Sequence, residues 1–204
     1  MARWEKTKVK IVYHIGDGED IEMLLTQDSY NAWRTLPFKN NGDVMAHAVE
    51  TYLNMMKELG AKPSLGLTAQ CVFQGLSVEQ FRQAAASGGN VLGLEDRSEN
   101  LVLFLSMVAY KDPKLKKLVN AKMTTWVDTI KTFSVENGAD DEYLFLNYAD
   151  LSQNPLGSYG EKNLAFIEEV AFKYDPNEAF QRTVPGGFKL SNARTTACLK
   201  VDGR

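Results

Sequence analysis

The chain has 204 residues, of which 44% are hydrophobic and 24% charged, and its formal net charge is −3. This is the composition of a globular domain, and the charge argues against nucleic-acid binding, which needs concentrated Lys and Arg. We therefore predict one domain over residues 1–204. Because no segment reaches the roughly 20 apolar residues of a membrane helix, and no signal peptide is evident, we expect a cytoplasmic protein with no membrane partner.

The first half of the chain mixes strand patterns, with a period of two, and helix patterns, with a period near 3.6. The predicted elements are, in chain order, strands over residues 7–13, 21–26 and 30–36, a helix over 43–60, a strand over 65–73 and a helix over 77–86. Ser77 and Gln80 form a capping-box pattern at the start of the last helix, and Gly88-Gly89 would end it.

The second half continues in the same way. Its predicted elements are strands over 91–94 and 101–109, a long helix from Asp112-Pro113 to about Gly138, a strand over 143–148 and a helix around 164–171. The turn signal near residue 17 favours antiparallel pairing. The predicted fold class is therefore α+β, with one antiparallel sheet and helices packed on one face.

Several short motifs follow one another near the end of the chain. They are Tyr143-Leu-Phe-Leu-Asn147-Tyr148-Ala-Asp150, Ser158-Tyr159-Gly160, Lys173-Tyr174-Asp175-Pro176, Phe180 and Pro185-Gly186-Gly187-Phe188-Lys189-Leu190. This succession resembles the C-terminal part of the berberine bridge enzyme-like, FAD-linked oxidases, especially the fungal ones. The stretch Gly88-Gly89-Asn90-Val91-Leu92-Gly93-Leu94 is a second, weaker match.

The resemblance covers residues 32–190 and implies the substrate domain of the vanillyl-alcohol oxidase and berberine bridge enzyme-like superfamily. Residues 1–31 would form an additional N-terminal hairpin, and residues 191–204 a tail. We expect the flavin-binding module of these oxidases to have no counterpart in this chain. We therefore expect no cofactor, with FAD present only if a separate flavin domain supplies it, and no metal, because the two histidines and two cysteines show no ligand spacing.

The candidate catalytic residues are Tyr148 and His47. In the oxidases that this chain resembles, the tyrosine of the Asn-Tyr pair lies near flavin and substrate, which implies that role for Tyr148. A phenol is a base only if its pKa, near 10 in water, is lowered. A core tyrosine with a bonded hydroxyl is the alternative. The candidate substrate-binding groups are Asn147, Gln70, Tyr143 and Trp33.

Three functions stay open at this stage. The first is a flavin-independent enzyme of secondary metabolism, a cyclase, pericyclase or isomerase that holds an apolar polyketide- or terpenoid-like substrate in a reactive geometry. The second is the C-terminal half, or a subunit, of an FAD-linked oxidoreductase. The third is a non-catalytic small-molecule-binding protein. Under all three we expect a homodimer, because surface normally covered by a flavin domain would be apolar.

Overall fold

The computed structural model describes residues 13–14, 29–59 and 67–194. In chain order its elements are β1 (Tyr13–His14), β2 (Tyr30–Lys39), α1 (Gly42–Glu58), β3 (Thr68–Leu76), α2 (Val78–Ala86), β4 (Leu101–Tyr110), α3 (Lys116–Glu136), α4 (Glu161–Tyr174), α5 (Ala179–Arg182) and α6 (Leu190–Ala193). The predicted hairpin of residues 7–26 lies outside the described residues, except for Tyr13 and His14.

The strands form one sheet in the order β1-β3-β4-β2. The three long strands pair antiparallel, with Phe73 opposite Phe104 and Leu36 on its other side, whereas the two-residue β1 runs parallel to β3. The α+β class with an antiparallel sheet, predicted from the sequence, is confirmed. No helix in the described part of the chain is both long and apolar enough to cross a membrane.

The central strand β4 is buried along all ten residues, so both faces of the sheet are covered. Its even-numbered side chains, such as Phe104, point to the face packed by α1 and α3, which we call the first face. Its odd-numbered side chains point to the opposite, second face, covered by α2, α4 and the segment 143–159. A continuous apolar run is typical of a strand buried on both sides.

Two predicted strands are wrong. Residues 91–94 form a loop because the side chain of Asn90 accepts a hydrogen bond from the Leu92 amide and Gly93 adopts a positive φ of 70°. Residues 143–148 form an extended segment followed by a 3-10 turn at Leu146–Tyr148. The amide of Leu144 donates to the Ser158 hydroxyl instead of to a neighbouring strand.

The strand predicted over 30–36 extends through Pro37 to Lys39. Pro37 is tolerated because β2 is an edge strand in the described sheet, and an edge proline needs no ladder partner for its nitrogen. The side chain of Gln153 covers this edge. Its amide nitrogen donates to the Thr35 carbonyl at 2.7 Å, and its oxygen accepts from the Thr35 amide at 3.2 Å. One side chain thereby takes the place of a neighbouring strand.

Candidate functional site

A cavity of about 300 Å³ lies on the second face of the sheet, beside α2. This volume is at the lower end of the usual range for small-molecule sites, which is about 300 to 1,000 Å³. The floor is formed by the sheet through Gln74, Leu76 and Leu103, and the walls are α2, the loop 89–95 and the segment 143–148. The lining is mostly apolar and aromatic, as is typical of such sites.

The wall formed by α2 is fixed at both ends by local interactions. Ser77 and Gln80 make the reciprocal capping box that the sequence predicts, with the Ser77 amide donating to the Gln80 side chain at 2.8 Å. At the other end Gly88 and Gly89 adopt positive φ, and the Gly89 amide donates to the Ala84 carbonyl. This register turns the buried Phe81 towards the cavity.

A close backbone approach and an ion pair hold the opposite walls together. At Gly93 a β-carbon would lie 2.5 Å from the Tyr159 carbonyl oxygen, so only glycine fits. Arg97 donates from Nε and a terminal nitrogen to the two carboxylate oxygens of Asp141, at 2.8 and 3.2 Å. Asp141 Oδ1 also accepts from the Tyr143 amide at 2.9 Å. The loop 89–97 is thereby tied to the segment that carries Tyr143.

Tyr143 is the most enclosed polar side chain of the cavity. Its residue is 2% exposed, and its ring stacks on Tyr159 with centroids 6.0 Å apart. Burial, with a smaller contribution from Tyr159, raises the pKa of Tyr143 well above the ordinary 10.0. None of the described residues hydrogen-bonds the Tyr143 hydroxyl. A buried hydroxyl without a partner is uncommon, because it loses its hydrogen bonds to water and gains none in the protein.

Tyr148 lies at the edge of the same cavity, held by aromatic contacts. Its ring lies 4.9 Å from that of Phe145, almost perpendicular, and 6.2 Å from that of Trp33. The chain after Tyr148 is attached to β2 by Gln153 and by Arg34, which donates to Asp150 at 3.4 Å and to Ser152 at 3.1 Å. Tyr148 is therefore positioned by contacts that extend back to the sheet edge.

The cavity carries little charge. Apart from the two tyrosines, its only ionisable lining side chain among the described residues is the exposed Glu95, and no Lys, Arg or His lines it. Gln74 supplies a side-chain amide that makes no hydrogen bond to the described residues. The available polar groups are thus hydroxyls and amides, with one carboxylate at the rim.

The structure brings together only part of the predicted site. Tyr143 and Tyr148 line the cavity, and Trp33 lies behind Tyr148. Gln70 lies opposite Met107, four residues before Gln74 on the same strand. Gln74 lines the cavity, and Gln70 does not. Asn147, although adjacent to Tyr148, is exposed and does not line the cavity.

His47 lies in a different part of the molecule. It belongs to α1 and stacks on Phe133 of α3 with ring centroids 4.2 Å apart, on the side of the first face. Its Nε2 is enclosed and has no hydrogen-bond partner within the described ranges. The structure therefore does not bring His47 and Tyr148 into one site, because the sheet lies between them.

Sequence analysis missed Gln74, Phe81 and Phe145. A usable signal existed for the first, because Gln70 and Gln74 share one face of an alternating strand. Phe81 follows from the capping box, which sets the register of α2. Phe145 had no such signal, since its position depends on the 3-10 turn that replaced a predicted strand.

A larger recess of about 550 Å³ lies between α4 and α5. Its lining includes Glu168, Asp175, Glu178 and Arg182, all at least partly exposed. It is a charged surface groove, whereas the cavity beside α2 contains buried aromatic groups. We therefore take the smaller, more apolar cavity as the candidate site.

The lining of the cavity beside α2 does not fit a complete FAD. A pyrophosphate needs a helix N-terminus with free amides or a cationic group. At the helix that borders the cavity, Glu79 lies in the first turn of α2, and the Asn100 side chain already accepts from the Val78 amide. No cationic side chain lines the cavity in the described part of the chain, and its volume of about 300 Å³ suits a ring system and not a dinucleotide.

Comparison with known proteins gives three informative relatives. The FAD-dependent monooxygenase drtC of Aspergillus calidoustus is 32% identical over 178 residues, 84% of this chain and 34% of the relative. The FAD-dependent monooxygenase sdcF of Emericella nidulans is 31% identical over 80% of this chain and 34% of its own length. The bifunctional solanapyrone synthase of Alternaria solani is 29% identical over 57% of this chain and 22% of its own length.

No protein-family model matches the chain, and no solved structure matches it. The chain spans about a third of the length of the first two relatives. Over most of its own length, the chain is similar to one part of a group of fungal FAD-dependent monooxygenases.

Proposed function

We propose that this chain is the substrate-binding part of an FAD-linked oxidoreductase that acts on an apolar, ring-containing substrate. The observation that carries the proposal is the aromatic cavity beside α2, which lies in a chain similar to part of several FAD-dependent monooxygenases. FAD would be bound by residues other than those that the structure describes.

In this proposal the chain contributes binding, orientation and exclusion of water. Phe81, Leu103 and Phe145 would cover the faces of a flat substrate, and about 25 cal/mol is gained for each Å² of apolar surface removed from water. Tyr143 and Tyr148 would hydrogen-bond its polar edge. These side chains would accelerate the reaction by holding the reacting carbon in one orientation.

Tyr148 would act in this site as a hydrogen-bond donor at the rim. Among the described residues no Lys, Arg or His lines the cavity, and the nearby Arg34 is paired with Asp150 and Ser152. A phenol in such surroundings donates a hydrogen bond to a substrate oxygen more readily than it removes a proton. His47 has no part in this proposal, because it lies on the first face.

A second candidate function is cyclisation or isomerisation of the same class of substrate without flavin. The specific observation in its favour is that the chain's own residues form the cavity, and that one similar protein is named a bifunctional synthase. The mass of the product separates the two functions. Cyclisation or isomerisation leaves the substrate mass unchanged, whereas oxidation removes hydrogen or adds oxygen and requires FAD.

The direct test of the proposal is to fill the cavity. Ala84 and Ala86 lie on α2, but only Ala84 lines the cavity, and Ala86 is exposed. We expect naphthalene to bind the purified chain, measured by quenching of tryptophan fluorescence. Ala84→Phe should abolish this binding, and Ala86→Phe should leave it unchanged. Equal binding by both variants, or none by the unmodified chain, would contradict the proposal.

A further inference from the structure

The polar groups of the cavity restrict which ring compounds it can hold, and this step rests on the proposed function. Three groups matter: the Tyr143 hydroxyl, the Gln74 amide and the Glu95 carboxylate. From them we infer that the ligand is an uncharged aromatic ketone or related carbonyl compound, whose carbonyl oxygen accepts a hydrogen bond from Tyr143, and that carboxylates are rejected.

The Tyr143 hydroxyl is the main reason for this choice. Its residue is 98% enclosed by the protein, its side chain lines the cavity, and no described residue pairs with the hydroxyl. A ligand acceptor at this point would remove the cost of an unpaired buried donor.

The protonation state of Tyr143 fits a donor. Because burial holds its pKa above the ordinary value, the phenol stays protonated through the neutral range. A protonated phenol donates to a carbonyl oxygen, and it cannot pair as an anion with a cationic ligand. The ring stack with Tyr159 and the Asp141 bond to the Tyr143 amide fix its direction.

The second reason is charge. A carboxylate in the cavity would find no Lys, Arg or His among the described lining residues and would face Glu95 at the rim. Moving an ionised carboxylate from water into an apolar site without a partner is strongly unfavourable in free energy. Gln74 offers either an amide hydrogen or an oxygen, so it accommodates a second carbonyl or hydroxyl group on an uncharged ring.

Three matched probes separate these contributions: naphthalene, the bicyclic ketone tetralone, and naphthoate. With the full chain, we expect tetralone to bind about tenfold more tightly than naphthalene, the size of one buried hydrogen bond, and naphthoate to bind most weakly. Tyr143→Phe should reduce tetralone affinity about tenfold and leave naphthalene affinity unchanged. Glu95→Gln should improve naphthoate binding while leaving the other two unaffected.

Tyr52→Phe is the matched control, because it removes a tyrosine hydroxyl on the first face, where it is bonded to the Ala69 carbonyl. It should leave all three affinities unchanged. Equal binding of naphthoate and tetralone, or an equal loss of naphthalene and tetralone affinity in Tyr143→Phe, would overturn the inference. If Tyr143→Phe does not fold, the order of the three affinities in the unmodified chain decides. Absence of binding by all three probes would instead overturn the proposed function.

Discussion

The two faces of the sheet use tyrosine in opposite ways. On the first face the Tyr52 hydroxyl donates to the Ala69 carbonyl at 3.0 Å, and Trp126 donates to Ala48 and Thr51. On the second face the residue Tyr143 is equally buried and lines a cavity, and its hydroxyl has no partner in the described residues. The Tyr52 hydroxyl on the first face is thus satisfied by the protein itself, whereas the Tyr143 residue on the second face lies beside a cavity.

The largest difference between the faces is expected in core truncations. Phe104 is fully buried among Phe73 and Trp126, so Phe104→Ala should lower the free energy of unfolding by about 4 kcal/mol. Phe81 already borders open space, so Phe81→Ala should cost only about 2 kcal/mol. Urea unfolding measures both. Equal losses would mean that the second face is as closely packed as the first.

A smaller effect is expected where the second face is attached to the sheet edge. Gln153→Ala removes the partners of both Thr35 backbone groups and of the Asp150 amide, which should cost about 2 kcal/mol of unfolding free energy. It should also weaken naphthalene binding, because Tyr148 loses its support. The control is Asn147→Ala, an exposed neighbour of Tyr148, which should change neither quantity. Unchanged binding in Gln153→Ala would show that the edge contact does not position Tyr148.

Alkaline pH should destabilise the first face. Burial raises the pKa of Tyr52 from 10.0 to about 12, with a smaller contribution from Cys71, and burial raises that of Cys71 from 9.0 to about 12. Because the folded state holds these protons more tightly, their contribution to stability is complete below about pH 9 and is lost as pH rises through 12. Unfolding free energy measured across this range should fall, and less steeply in Cys71→Ala. A flat profile would contradict the burial of these groups.

The smallest effect is expected at the surface, outside both faces. Arg194 donates to both carboxylate oxygens of Glu168, and this hydrogen-bonded pair lowers the pKa of Glu168 below the ordinary 4.5. The stability from the pair is therefore present above pH 4.5 and is lost as pH falls through the lower folded value. Arg194→Gln should slightly flatten the acid side of the stability profile. Since exposed pairs contribute little, a large loss at neutral pH would be unexpected.

Sequence patterns predicted the elements whose signals are local. The apolar run of β4, the capping box of α2 and the long helix after Pro113 all follow from residues close together in the chain. The segment 143–148 could not be predicted in this way, because its alternating residues look like a strand. Its path is decided by Ser158 and Asp141, which lie outside the segment and bond its amides.

The sequence predicts site residues only where they belong to a recognisable motif or to one face of an alternating strand. The resemblance implies a role for Tyr148, Tyr143 belongs to the same motif as a candidate binding group, and both line the cavity. The helical spacing predicts that His47 lies at the edge of the apolar stripe of α1, but nothing in its local sequence indicates which face of the sheet α1 covers. That placement depends on the packing of α1 against α3 and the first face.

The predicted homodimer stays a prediction. Large apolar side chains are exposed on α4, with Phe172 76% exposed. These side chains are the candidate contacts for a second copy of the chain. Light scattering of the unmodified chain and of Phe172→Asp would measure the mass of each. A dimer in both proteins would place the contact elsewhere.

A crystal structure of the chain with bound tetralone would test the central claim most directly. We predict electron density for one ring system between Phe81, Leu103 and Tyr143, with the ketone oxygen within hydrogen-bonding distance of the Tyr143 hydroxyl. Density only in the charged groove between α4 and α5, or an ordered ligand whose oxygen points away from Tyr143, would contradict the account.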